Sequence, residues 1–176
     1  MTDWGAHHND IAQWGLGMDD TGPVHIDGKG SFPTSGLFDT PNTYEVTYTY
    51  SSGIKLICSS EGNSCVFYGT EGEISVNRGY LASKPAEIIQ VPIKDDEIHL
   101  YKSPNHYADF LECVKTRKRP ICDVETGFRS VSVCHLGNIS VRLGRPIRWD
   151  PANEKIIGDE EASRWLSRPM RAPWHI

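Results

Sequence analysis

The clearest pattern in the chain is the alternation from Thr43 to Tyr50. Tyr44, Val46, Tyr48 and Tyr50 fall on one side, and Thr43, Glu45, Thr47 and Thr49 on the other. A period of two is that of a half-buried strand. Ser51-Ser52-Gly53 supplies a turn, and Ile54 to Cys58 predicts the returning arm of an antiparallel hairpin. Further short strands are expected at Cys65-Val66-Phe67-Tyr68, Glu73-Ile74-Ser75-Val76, around Tyr80-Leu81, and from Glu87 to Val91. Val24-His25-Ile26-Asp27 is a strand candidate ahead of them. Consecutive strands joined by tight turns predict an antiparallel meander.

Three stretches switch to a helical period. Asp3 to Trp14 has Thr2 or Asp3 as its cap, Ile11 and Trp14 as an apolar stripe, and Gly15 and Gly17 as its stop. Asn105 to Arg117 places Tyr107, Phe110, Leu111 and Val114 on one face, and Pro120 ends the connection beyond it. Asp123 to Leu143 opens with acids, ends with Arg142 and stops at Gly144. Its predicted buried stripe is Phe128, Val131, Cys134 or His135, and Ile139, with His135 read as a structural histidine. Gly127, Ser130, Cys134 and Gly137 form a small-residue ridge suited to close packing. A last short helix runs from Gly158 or Asp159 through Leu166, and residues 167–176 form an extended tail. The expectation is one α+β domain over residues 1–176: a mostly antiparallel, open-faced sheet with helices packed on one side.

Composition narrows the class. A hydrophobic share of 38% and a charged share of 23% fit a soluble globular chain and exclude a mostly disordered one. No apolar run reaches the roughly 18 residues of a membrane span. Met1 leads straight into the first helix, so no signal peptide is expected. The expected location is cytoplasmic, or periplasmic if a longer parent carries an upstream export signal. The net charge of −5, with both signs interspersed, argues against nucleic acid as a partner. The basic run Lys115 to Arg119 suits a helix C-terminus. Five cysteines without a C-x-x-C read as reduced, mostly buried thiols rather than a metal site. Asn138-Ile139-Ser140 matches a glycosylation sequon but falls inside a predicted helix.

Candidate chemistry concentrates in the first helix. Asp3 and His7 are i,i+4 neighbours, and Asp10 and Trp14 continue the same side. A carboxylate one turn before an imidazole holds one tautomer and leaves the other ring nitrogen available as a base. The plainer alternative makes Asp3 only an N-cap and puts the histidines on a solvated face. A metal site from Asp3, His7, His8 and Asp10 is disfavoured, because adjacent helical residues point about 100° apart. Gly28-Lys29-Gly30 resembles a phosphate loop, but Pro33 replaces the third glycine and no helix pattern follows. Gly28 to Pro41 is therefore expected to be a surface loop.

Asp3-x-Gly5-x-His7-x-x-Asp10 resembles the D-x-G-x-H-x-x-D signature of the Gfo/Idh/MocA oxidoreductases. The bacterial branch of that family is resembled further in Cys113-Val114-Lys115-Thr116-Arg117-Lys118-Arg119-Pro120, Cys134-His135-Leu136-Gly137-Asn138-Ile139, Leu143-Gly144-Arg145 and Ser167-Arg168-Pro169-Met170-Arg171-Ala172-Pro173-Trp174. The resemblance spans nearly the whole chain but only the C-terminal half of such an enzyme. It implies an NAD(P)-dependent oxidoreductase acting on a secondary alcohol of a sugar, polyol or glycoside. His7 would be the general base, Asp3 its orienting carboxylate, and His8 and Asp10 substrate contacts, with Asp10 also bracing the helix. The family's partner lysine belongs to a Glu-Lys-Pro motif in the Rossmann domain that precedes the signature helix. Ser83-Lys84-Pro85 lies after that helix and is the wrong counterpart. NAD or NADP is thus expected to belong to the parent protein, with none bound by this chain, which alone is expected to be inactive. Expected partners are a sugar or polyol, the Rossmann domain, and a second copy across the open sheet face. Two alternatives stand beside this reading: NAD-dependent glycoside hydrolysis through transient oxidation, and a non-catalytic assembly module, favoured if His7 is buried against protein.

Overall fold

A computed structural model describes residues 1–174; the last two residues of the predicted tail lie outside the described residues. The chain forms two compact units, residues 1–62 with 129–176, and residues 63–128.

In the first unit, helix α1 (Trp4–Gly15) is followed by β1 (His25–Ser31), β2 (Thr43–Thr49) and β3 (Lys55–Ser59). Helix α3 (Val124–Leu143), which belongs to this unit from Arg129 onward, leads to β7 (Ile147–Asp150), β8 (Lys155–Ile156) and the short α4 (Glu160–Ser163). The strands form one antiparallel sheet in the order β3-β2-β1-β7-β8. Tyr48 pairs with Ile26 on one side and Leu56 on the other, and Val46 with Gly28 and Cys58. This register puts the even-numbered residues of β1 to β3 on one face. Ile26, Val46 and Tyr48 there are wholly buried, together with Ile147 and Trp149 of β7 and Val133, Leu136, Ile139 and Val141 of α3. The opposite face carries Lys29, Glu45 and Lys55, all exposed, and Ile57 at 65% exposure. The alternation in the sequence thus becomes an open-faced sheet with its helices on one side.

The glycines of β1 explain how closely α3 sits. A Cβ on Gly28 would lie 2.8 Å from Val141 Cγ2 and 3.1 Å from the Val141 backbone nitrogen; one on Gly30 would lie 2.7 Å from Val141 Cγ1. Beyond Ile26, β1 no longer pairs with β7. There the Gly28 N–H donates instead to the buried Ser140 Oγ at 2.8 Å, so α3 supplies a partner for an otherwise open strand edge. The region from Gly28 is accordingly strand through Ser31, not the surface loop that its glycines suggest. Small residues in a sheet here mark close backbone approach. On α3 the small-residue ridge is real at Ser130, Cys134 and Gly137, all buried, and a Cβ on Gly137 would strike Tyr48 Oη. The predicted apolar stripe is displaced, however. Phe128 and His135 are exposed and Val131 is half-buried. His135 is therefore a surface residue, not a structural one.

The second unit holds β4 (Cys65–Tyr68), β5 (Glu73–Asn77) and β6 (Tyr80–Lys84) as a separate antiparallel sheet, plus α2 (His106–Thr116). The single predicted meander is thus two sheets. The strand expected at Glu87 to Val91 is one tight 3-10 turn, Ala86–Gln90, with no buried residue. Helix α2 begins as expected, with Asn105 Oδ1 accepting the Ala108 N–H at 3.0 Å, and ends at Arg117 in the left-handed region. Its predicted apolar stripe, Tyr107, Phe110, Leu111 and Val114, is exposed, and Cys113 is its buried residue.

Candidate functional site

Helix α1 places the signature residues. Its C-terminus closes as the glycines predict: Gly17 takes φ +66, the Leu16 N–H bonds Ala12 O at 3.0 Å and the Met18 N–H bonds Gln13 O at 2.9 Å. At its N-terminus, Asp3 occupies the cap position but its side chain makes no capping bond. The carboxylate is therefore not engaged in the role that the plainer reading assigns it.

The buried face of α1 is not Ile11 and Trp14. Ile11 is half-buried and Trp14 is 50% exposed, whereas Asn9, Ala12 and Gln13 are buried. Two of the three are amides, and each is answered. Asn9 Nδ2 donates to Cys134 Sγ on α3 at 3.2 Å. Gln13 Nε2 donates to the carbonyls of Met18 and Thr21 at 3.1 and 3.3 Å, and Gln13 Oε1 accepts the hydroxyl hydrogen of Tyr50. The sequence pattern missed these residues because a hydrophobic stripe is sought in apolar letters. Their signal was the i,i+4 spacing of two amides beside Ala12 on a helix with few apolar residues.

With about 100° per residue, His7 and Trp14 project away from the Asn9–Gln13 face, and Asp10 lies on its flank. Burial agrees: Asp3 and His7 are exposed, while His8 and Asp10 are half-buried. Asp3 stands at the cap position with non-helical backbone (φ −113, ψ −98), four residues before His7. Trp4, 71% exposed, is in a T-shaped arrangement with the His7 imidazole, with centroids 6.0 Å apart and planes at 65°. Asp3 and His7 are both exposed, and helical geometry puts His8 about 100° round from His7, on a different side. Among the described residues no group of three or more His, Cys, Asp or Glu is arranged to hold a metal ion.

Beneath α1 lies a band of phenols and thiols. Burial pushes the Tyr48 and Tyr50 hydroxyls well above their usual range. Burial likewise raises the Cys58 and Cys134 thiols, and the Asn9 amide pulls both partway back. All four stay protonated near neutrality and act as packing and hydrogen-bonding groups. None of them has the depressed pKa of a nucleophile.

The glycines of β1 do not form a phosphate cradle. In the run Gly28-Lys29-Gly30 the glycines are pressed against Val141, and a second strand follows rather than a helix. No helix among the described residues is long and apolar enough to cross a membrane.

Comparison with known proteins agrees with this geometry. The family model described as "Oxidoreductase family, C-terminal alpha/beta domain" matches residues 1–176. A search of curated proteins finds no match. Among solved structures, the chain is similar to an NAD-binding protein from Listeria innocua (TM-score 0.57, 17% identity), covering 83% of this chain and 46% of that one. It is also similar to the WlbA dehydrogenase from Bordetella pertussis, solved in complex with NADH and UDP-GlcNAcA (TM-score 0.56, 15% identity, 82% and 43% covered). A third similar structure is an oxidoreductase from Agrobacterium radiobacter in complex with NAD+, L-tartaric acid and magnesium (TM-score 0.55, 14% identity, 83% and 48% covered). At these identities the likeness concerns the fold. The chain spans less than half the length of each of these structures. The α+β architecture, the signature helix and the match over the full chain together establish that this protein belongs to the Gfo/Idh/MocA oxidoreductase family, as its C-terminal α/β domain.

Proposed function

We propose that this chain is the substrate-side domain of an NAD(P)-dependent oxidoreductase acting on a secondary alcohol of a sugar or polyol, with His7 as general base. The observation that carries the reading is the outward face of α1, where His7 is exposed and Asp3 stands four residues before it without serving as a cap. In the oxidation, the secondary alcohol becomes a ketone. Its hydroxyl proton passes to one ring nitrogen of His7, and its carbon-bound hydrogen leaves as hydride. When bound, the nicotinamide would supply the hydride acceptor. The role of Asp3 is to accept the hydrogen of the other ring nitrogen and to stabilise the imidazolium that forms. His8 and Asp10, on the flanks of the same helix, are assigned to substrate hydroxyls. The assembly-module reading would have His7 packed against protein, and its exposure counts against that reading.

The test is calorimetric titration of NAD and NADP into this chain and into a version extended upstream, followed by screening of polyols and sugars. Cofactor binding to the extended protein alone is expected, and His7→Ala is expected to lower kcat by about 10²–10⁴. Binding by this chain alone, or a His7→Ala enzyme of undiminished activity, would overturn the proposal.

A further inference from the structure

We infer that Asn9 and Gln13 are positioning residues that set the rotation of α1 about its axis, and so the direction in which His7 projects. The inference rests on the reading of His7 as the base. Apolar packing is non-directional, and α1 buries one apolar side chain, Ala12. Nothing in that contact alone prevents the helix from rolling on the sheet. Buried amides are different, because each donor and acceptor must find a partner at a fixed distance and angle.

Asn9 and Gln13 sit one turn apart and reach in three directions: to α3 through Cys134 Sγ, to the loop after α1 through the Met18 and Thr21 carbonyls, and to the residue just past β2 through the Tyr50 hydroxyl. A roll by one residue, about 100°, breaks all of these bonds and carries His7 from the outer face toward a flank. The amide of Gln13 is wholly buried and has every polar atom engaged, so no alternative set of partners competes with this one. Placement of a base within a fraction of an ångström governs the rate of proton transfer, and a 1 Å displacement costs on the order of 100-fold.

The experiment follows the ring signals of His7 by NMR in the 176-residue chain, comparing wild type with Gln13→Met and Asn9→Ser. The expected result is shifted or exchange-broadened His7 signals, with those of His25 and His135, both exposed elsewhere in the same unit, unchanged. Tyr50→Phe removes a single partner of Gln13 and keeps the test alive if a stronger variant fails to fold. A role in stability alone would lower Tm and leave the His7 signals of the folded protein in place; that result would overturn the inference. In the extended enzyme, Gln13→Met is expected to lower kcat roughly tenfold or more with little change in KM, and a shifted His7 with full kcat would also overturn it. His7→Ala separates the two readings: undiminished activity would remove the base but leave the ring-signal result intact.

Discussion

Gly28→Ala tests the packing of α3 on β1, because two effects of opposite sign compete there. In a strand of ordinary φ, replacing glycine by alanine reduces the entropy of the unfolded chain and stabilises by about 0.4–1 kcal/mol. Against this, the new Cβ would sit 2.8 Å from Val141 Cγ2, 3.1 Å from the Val141 nitrogen and 3.3 Å from the Gly137 carbonyl oxygen. Two of those three atoms are helix backbone, so no rotamer change relieves the contact, and α3 itself must withdraw. Its withdrawal would also stretch the 2.8 Å bond from the Gly28 N–H to Ser140 Oγ. Overpacking of this kind costs about 1–3 kcal/mol, so at mid-range the steric term wins, with a net loss of about 1.3 kcal/mol expected within limits of roughly 0–2.6 kcal/mol. For a chain of this size the mid-range loss lowers Tm by roughly 3–5 °C. The control is Gly127→Ala on α3, where a Cβ meets nothing within 4 Å and the same chemical change should stabilise by about 0.5–1 kcal/mol. Urea unfolding followed by circular dichroism, with Tm from calorimetry, reads both variants. Gly28→Ala with stability equal to or above wild type would refute the close approach of α3 to β1.

Two further outcomes follow from the electrostatics and from burial. Asp159 caps α4 by accepting the Ala162 N–H at 3.0 Å and pairs with Arg145 at 2.9 Å, and the N–H first and the guanidinium second hold its carboxyl below the usual 3.8. A carboxyl more acidic in the folded state stabilises above its unfolded pKa and loses that contribution as pH falls through its folded value. Asp159→Ala should therefore lower Tm at pH 7, with the difference closing below about pH 4; a difference independent of pH would remove the charge from the account. Thiol labelling of the native protein should proceed first at Cys122, which is exposed, and slowest at Cys134, which is buried with its thiol pushed up by desolvation. Mass spectrometry of the labelled peptides reads the order, and equal rates at the two would contradict the packing of α1 over α3.

What local sequence determined was whatever depends on a residue's near neighbours. The two-residue period of Thr43 to Thr49, the cap at Asn105, the stop at Gly17 and the limits of α3 each arise from interactions within one element, and each was legible. Tertiary structure decided what depends on the element packed opposite. Gly28 and Gly30 looked like loop residues because their purpose, room for Val141, lies more than a hundred positions away in the chain. The inner face of α1 was misassigned to Ile11 and Trp14 because the partners of Asn9 and Gln13 come from α3, the residue just past β2 and the loop after α1. The apolar face of α2 was legible as a pattern, yet in this chain it remains exposed. Periodicity reports that a face is apolar, but burial requires a second surface, and no local rule specifies which surface that is. A helix's residues determine that it forms. The bonds across its packing interface determine which way it faces, and here they turn His7 outward.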